Sequence, residues 1–374
     1  MSDSDHIQLP GGYHGAYLLV DVTDGSCQRH AIAEQVLADY LGGTGLGTWL
    51  MLTLGAAQLD PLSPEAPLAV VFSPLVGSPL TTSAKFAVVS RSPLTGFLND
   101  SLASSAFALA GKRTGHDAIV VRGRAASPSI LVIEEDEVRL EPADDVWGKT
   151  CEQATRILKD RFPADAAILL IGPAGEQQVL FATLSHDGRH AGRGGSGAVL
   201  GAKNIKAIVV RGDRRAGWHD PDGLIKQARD LSARSLGPAT AKYRELGTAA
   251  NLVLFNRLHA LPSRNFQQGQ LEGVEALSPQ QLESVREKTQ TSCAACTIGC
   301  THIYGVRSAD GSQHQVRVEY ENLFALGPLC GVTDQDAVLQ ASRRCDELGM
   351  DTISTGGTIA FAMECVERGL LDVD

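Results

Sequence analysis

No apolar run in the chain approaches the roughly 18 residues that would cross a bilayer, so no membrane span is expected. Positive charge is not in excess either. Lys and Arg number 33 against 43 Asp and Glu, giving a net charge of −10, and the basic residues are scattered. That argues against a nucleic-acid binder. The opening MSDSDHIQLPGG has no basic stretch followed by an apolar one, so no secretory signal is read and a cytoplasmic setting is expected. Cysteine is too sparse for a disulfide scaffold, with eight in 374 residues. In a reducing compartment, clustered cysteines more often bind metal. Cys27, Cys151, Cys330, Cys345 and Cys365 are spread out. Cys330, Cys345 and Cys365 lie in apolar or helical settings and read as small buried hydrophobes.

What is present is the composition of a globular protein, 43% hydrophobic and 20% charged. The length suggests two or three domains. Residues 13 to about 212 are rich in short β-type runs, Tyr17–Asp21, Leu68–Phe72, Phe86–Ser90 and Ile130–Ile133, bounded by Gly, Pro, Asp or Ser. Helical stretches interrupt them at 31–42 and 150–161. An internal echo stands out. AIVVRG at Ala118–Gly123 recurs at Ala207–Gly212, and each copy follows a small-residue stretch, Phe107–Lys112 or Ala198–Lys203. This predicts a duplicated helix-then-strand unit and a pseudo-twofold N-terminal domain over 1–212. After Gly212, Leu224–Leu236, Pro279–Lys288, Gln335–Leu348 and Thr352–Gly369 read as helices, with Pro221 and Pro279 at helix starts. Residues 213–374 are therefore expected to be mainly α, ending without a closing element.

Five stretches carry chemistry. TSCAACTIGC (Thr291–Cys300) places Cys293, Cys296 and Cys300 within eight residues. Thiolates at this spacing suit an iron–sulfur cluster or zinc. Zinc sites usually pair two C-x2-C knuckles and no second pair exists, which favours a cluster with a distant fourth ligand. Zinc and unliganded thiols stay open. DGRHAGRGGSGA (Asp187–Ala198) sets five glycines and two arginines ahead of a small-residue helix. Backbone N–H groups and forked guanidiniums of this kind close on a phosphate; the alternative is a Gly-rich surface turn. Lys85 lies between the turns at Ser73–Gly77 and Ser92–Gly96, and its plain reading is a solvated lysine. Asp346 and Asp351 flank Gly349 at a helix end, which suits capping, or carboxylate bonds to a ring with several N–H donors. Glu321 lies among Tyr320, Leu323, Phe324 and Leu326. It reads as an exposed helix residue or as a carboxylate of raised pKa for proton transfer.

Together these stretches resemble the tungsten-dependent aldehyde:ferredoxin oxidoreductase family. The segments that carry the likeness are Ser92–Phe97, Trp147–Lys149, Ile171–Glu176, Ala191–Gly195, Gly201–Asn204, the C-x2-C-x3-C run and Cys345–Gly356, in family order. The resemblance implies an α+β chain. Its N-terminal pseudo-twofold domain of two β-sheets with helices would form a cofactor base, followed by an incomplete mainly α-helical domain. It implies tungsten held by two pterins (bis-pterin), or molybdenum in its place, with a 4Fe-4S cluster on Cys293, Cys296 and Cys300. Lys85, Arg189, Gly192, Arg193 and the neighbouring Ala191 and Gly194 would meet the pterin phosphates. The His190 carbonyl would help hold a Mg2+ that bridges them. Asp346, Gly349 and Asp351 match a D-x-x-G-L/M-D pterin motif. Glu321 matches a glutamate near the metal. The implied reaction is oxidation of an aldehyde to a carboxylic acid, with electrons passing to ferredoxin or another electron-transfer subunit.

Departures qualify the likeness. Lys85 stands where the family has an arginine, giving a point charge instead of a fork. Gln340 and Arg343 replace an E-x-x-H iron motif, so a homo-oligomer would form without interfacial iron. The family extends past Asp374, so a fragment, or secondly a split subunit, is expected, with the fourth cluster ligand elsewhere and weak activity of these residues alone. Rival readings are a related enzyme acting on an aromatic acyl-CoA and a catalytically inactive scaffold subunit.

Overall fold

The computed structural model describes residues 9–307 and 311–372. The chain divides into two compact units, Met1–Asp230 and Leu231–Asp374.

The first unit holds two six-stranded sheets. One contains β1 (Ala16–Asp21), β2 (Ser26–Ala31), β3 (Leu68–Phe72), β4 (Lys85–Arg91), β5 (Leu98–Ser104) and β6 (Ala118–Arg122). The other contains β7 (Ser129–Glu134), β8 (Glu137–Pro142), β9 (Ala167–Leu170), β10 (Leu184–His186), β11 (Arg189–Ala191) and β12 (Ile205–Arg211). Their orders are β2-β1-β6-β3-β4-β5 and β8-β7-β12-β9-β10-β11. Adding six to each strand of the first sheet gives the second. The senses agree too: β1–β6 and β7–β12 are the parallel pairs, and the other neighbours run antiparallel. The AIVVRG echo forms β6 and β12 and their closing glycines. The duplication therefore covers a whole sheet, more than the helix-then-strand unit that the echo alone marks.

Among the described residues the sheets are accompanied by α1 (Glu34–Tyr40), α2 (Gly43–Thr53), α3 (Ala106–Arg113), α4 (Cys151–Arg161), α5 (Pro173–Glu176) and α6 (Ser196–Ala202). Side chains alternate across a strand. Tyr17, Leu19, Ala69, Val71, Ala87, Val89, Ala118 and Val120 pack with α1 and α2 residues such as Leu37, Leu46 and Leu50. Ile130, Val132, Ile168, Leu170, Ala207 and Val209 pack with Ala154 and Leu158 of α4. The intervening residues, among them Val70, Phe72, Ile119, Leu131 and Ile208, are also buried. They face the layer where α3 and α6 touch both sheets. Burial on both faces explains why these strands read as continuous apolar runs. The middle layer is thin because its helices are built from small residues. A Cβ on Gly111 would come within 2.3 Å of the Phe72 ring, and one on Gly201 within 1.9 Å of the Gly175 carbonyl oxygen.

Each repeat buries one ion pair at the residue before the echo. Asp117 pairs with Lys112 and takes N–H bonds from His14 and Gly15. Lys206 pairs with Glu176 and donates to the Lys149 carbonyl at 3.0 Å.

The chain leaves the first unit within α7 (Pro221–Ser235). The second unit adds α8 (Pro238–Leu246), α9 (Asn251–Arg257), α10 (Pro279–Val285), α11 (Tyr320–Leu326), α12 (Gln335–Leu348) and α13 (Thr352–Glu367). It also contains a three-stranded antiparallel sheet that helical periodicity did not foresee: β13 (Lys288–Thr291), β14 (Thr301–Arg307) and β15 (Gln313–Val318). Tyr304, Val306, Val316 and Val318 of this sheet share a core with Leu252, Leu277, Leu323, Val338 and Leu339. α10 stops short of Lys288, the residue that opens β13.

Candidate functional site

The Arg–Gly segment lies in the first unit. Asp187 and Gly188, at φ 46° and 66°, make the tight two-residue turn of the β10–β11 hairpin. β11 then carries Arg189, His190 and Ala191. Ala191 is buried opposite Leu184, and His190 Nδ1 lies 2.8 Å from Thr183 Oγ1. Beyond the strand, Gly194 and Gly195 adopt φ 88° and 81°. Only glycine fits here: a Cβ would meet the Asn99 side chain at 2.0 Å and the Leu180 carbonyl oxygen at 2.1 Å respectively. A Cβ on Gly192 would meet nothing within 4 Å, so that side of the turn is open. Among the described residues, the backbone N–H groups of Gly192, Gly194, Gly195 and Ser196 reach no acceptor. Gly195 and Ser196 are nevertheless buried. Buried donors without acceptors are costly. A phosphate oxygen would satisfy them, and exposed Arg193 and half-buried Arg189 supply positive charge beside the turn. The residues fit an anion.

Lys85 stands elsewhere in the same unit. It opens β4 opposite Ser104, whereas Ser90, near the other end of β4, reaches Ser196 Oγ at 3.2 Å. Five residues of strand separate them, about 17 Å. Lys85 is therefore next to the start of α3 and not beside the Gly194–Ser196 turn. Its ammonium makes no hydrogen bond or ion pair among the described residues.

The remaining candidates belong to the second unit. Cys293, Cys296 and Cys300 sit in the loop that joins β13 to β14, whose ends pair as Thr291 with Thr301. All three thiols are half-buried and outside any disulfide. Cys296 N–H donates to the Cys293 carbonyl at 3.2 Å, and Ile298 N–H approaches Cys296 Sγ at 3.5 Å. The Arg244 carbonyl of α8 accepts from Gln290 Nε2 at 2.7 Å and from His302 Nε2 at 3.1 Å, tying both flanks of the loop to one helix. Among the described residues no three His, Cys, Asp or Glu side chains converge closely enough to hold a metal ion. A four-iron cluster spreads its thiolates over a larger body than one zinc ion does. The three thiols supply donor chemistry that suits iron of a cluster or zinc.

Gly349, at φ 73°, ends α12, and Asp351 begins α13 by accepting from Ile353 N–H at 3.1 Å and Ser354 Oγ at 2.5 Å. Asp351 is 5% exposed and Asp346 is half-buried. Each carboxylate is an acceptor of several N–H or O–H bonds. Glu321 is exposed in the first turn of α11, while Leu323 and Leu326 turn inward. Sequence reasoning did not single out Asn99, which donates to the Arg193 carbonyl, or Gln290 and His302 beside the cysteines. The polar Gln290 and His302 immediately flanking the loop were the available signal; nothing near Asn99 pointed to it.

Two family models match the chain: "Aldehyde ferredoxin oxidoreductase, N-terminal domain" over residues 17–212 and "Aldehyde ferredoxin oxidoreductase, domains 2 & 3" over 224–374. The tungsten-containing aldehyde ferredoxin oxidoreductase of Pyrococcus abyssi is 36% identical over 367 residues, 96% of this chain and 60% of that protein. The aliphatic sulfonate oxidoreductase WOR-like subunit of Pyrococcus furiosus is 30% identical over 96% of this chain and 60% of its own length. The chain thus spans about 60% of the length of these relatives. Among solved structures, the active-site complex BamBC of benzoyl coenzyme A reductase superposes with a TM-score of 0.84 at 24% identity, covering 97% of this chain and 57% of that one.

Proposed function

The chain belongs to the aldehyde ferredoxin oxidoreductase family, and from that premise we propose that it serves an oxidoreductase converting an aldehyde and water to a carboxylic acid, two electrons and two protons. The observation that supports this best is the glycine turn with unused, partly buried N–H donors on a duplicated sheet base. When bound, a tungsten or molybdenum bis-pterin supplies the two-electron exchange and a 4Fe-4S cluster the one-electron exit. The N–H groups of Gly192, Gly194 and Gly195, with Arg189 and Arg193, hold pterin phosphate. The His190 carbonyl, beside Ala191, would be a ligand for a Mg2+ that neutralises phosphate charge. Lys85 adds positive charge at the α3 end of the same unit. Asp346 and Asp351, set by Gly349, orient pterin N–H groups. Cys293, Cys296 and Cys300 bind the cluster iron. Glu321 takes up a proton at its carboxylate. The electron acceptor is a ferredoxin or a partner subunit.

The test is a pair of assays on the protein isolated anaerobically from its native host. Aldehyde-dependent reduction of a viologen dye supports the proposal. Acyl-CoA-dependent oxidation of reduced viologen, with no response to aldehydes, assigns the family member to the other substrate class. No response in either direction from preparations that carry cofactor overturns both.

A further inference from the structure

The two repeats place their edge strands β5 and β11 side by side, and each reaches across to the segment that opens the other repeat's middle-layer helix. The two reaches have opposite hydrogen-bond polarity. Asp187, in the β10–β11 turn, accepts the N–H of Ala106, the first residue of α3, at 2.8 Å. Ser105 Oγ takes the next N–H, from Phe107, at 3.0 Å. The start of α3 is thereby satisfied from within. Asn99, near the start of β5, instead donates its Nδ2 to the Arg193 carbonyl at 3.1 Å. Its side chain lies where a Cβ on Gly194 would be. A trans peptide points its C=O and N–H to opposite sides. Fixing the Arg193 carbonyl against Asn99 turns the Gly194 N–H away from β5, and Gly194 has no side chain to resist it.

From this we infer that Asn99 is a positioning residue for the glycine turn. By holding a carbonyl instead of capping N–H groups, it keeps the donors of Gly194–Ser196 aimed at an outside anion of the phosphate or pyrophosphate class. Asp187 is its counterpart, closing the equivalent place in the other repeat. The inference rests on the anion reading of the turn given above and adds the residue that orients it.

The test measures pyrophosphate binding by calorimetry to the full chain freed of small molecules. Pyrophosphate-induced amide protection of Gly192–Val199 is followed alongside. Wild-type protein binds and protects. Asn99→Ala lowers affinity roughly five- to tenfold, the loss of one orienting hydrogen bond. Asn99→Asp lowers it further, because a carboxylate repels the ligand and occupies the N–H groups itself. Asp187→Asn stays within about twofold. Urea midpoints without pyrophosphate are unchanged for Asn99→Ala, which separates orientation from folding. Wild-type affinity in both Asn99 variants overturns the role of Asn99 while leaving the anion site standing. Absence of binding and protection in the wild type overturns the anion site, and this inference with it.

Discussion

Lys206→Met is the sharpest probe of the base. The Lys206 side chain is fully buried and that of Glu176 is 3% exposed. Burial pulls the ammonium pKa below its ordinary value, and the adjoining carboxylate opposes that shift. Glu176 also receives the Gly148 N–H, at 3.0 and 2.9 Å to its two oxygens. One buried pair thus joins Trp147–Lys149, Ile171–Glu176 and the start of β12, three places far apart in sequence. Methionine keeps an unbranched side chain one atom shorter and removes the charge, leaving Glu176 buried with only the Gly148 N–H. Breaking a buried pair from one side costs about 3–5 kcal/mol. The retained N–H bond puts this case near ~3 kcal/mol, a large share of a domain's stability. Lys206→Met/Glu176→Gln removes the stranded charge and keeps an acceptor for Gly148, so most of the loss returns. Urea unfolding followed by circular dichroism, at constant m-value, measures both. A single-variant cost under ~1 kcal/mol, or a double variant no better than the single, refutes the reasoning.

Other consequences follow from the same packing. His116 is fully buried, with Nδ1 3.1 Å from Thr114 Oγ1; burial, with Arg29 nearby, lowers its pKa from 6.5 to about 4. The folded imidazole stays neutral where the unfolded one protonates. Its contribution is complete above pH 6.5 and is lost as pH falls toward 4, approaching ~3 kcal/mol; urea midpoints across that range decline less in His116→Gln. Gly201→Val drives side-chain atoms into the Gly175 carbonyl and lowers stability by ~3 kcal/mol or more, read as a fall in Tm. Cys345 is buried with its thiol pushed up to about 11. Iodoacetamide at pH 8 leaves it unmodified in the folded protein while exposed Cys27 reacts, as peptide mass mapping will show.

Much of the fold was legible because the repeat wrote its own strand into the chain twice. Apolar runs marked β3 and β6, and the end signals at Pro221, Pro279 and Gly349 marked helix limits. The three-stranded sheet was not foreseen. β13 is KTQT, wholly polar, and its partner lies across the cysteine loop. The alternation of Tyr304 with Val306 and of Val316 with Val318 was the signal available. α2 was missed because GTGLGTWLMLT carries three glycines; the helix holds because Leu46, Gly47, Leu50 and Met51 are buried, with Gly47 pressed against Val89. Of the candidate site, the glycine turn and the cysteine loop were visible as motifs. The separation of Lys85 from that turn, and the reach of Asn99 to Arg193, depend on how β4, β5 and β11 lie side by side, which no local pattern records.

The most direct test of the central claim is elemental analysis of the protein purified anaerobically from its native host. The account predicts tungsten or molybdenum together with about four irons per chain, and loss of the iron in Cys293→Ala. A single zinc per chain without iron or tungsten would contradict it.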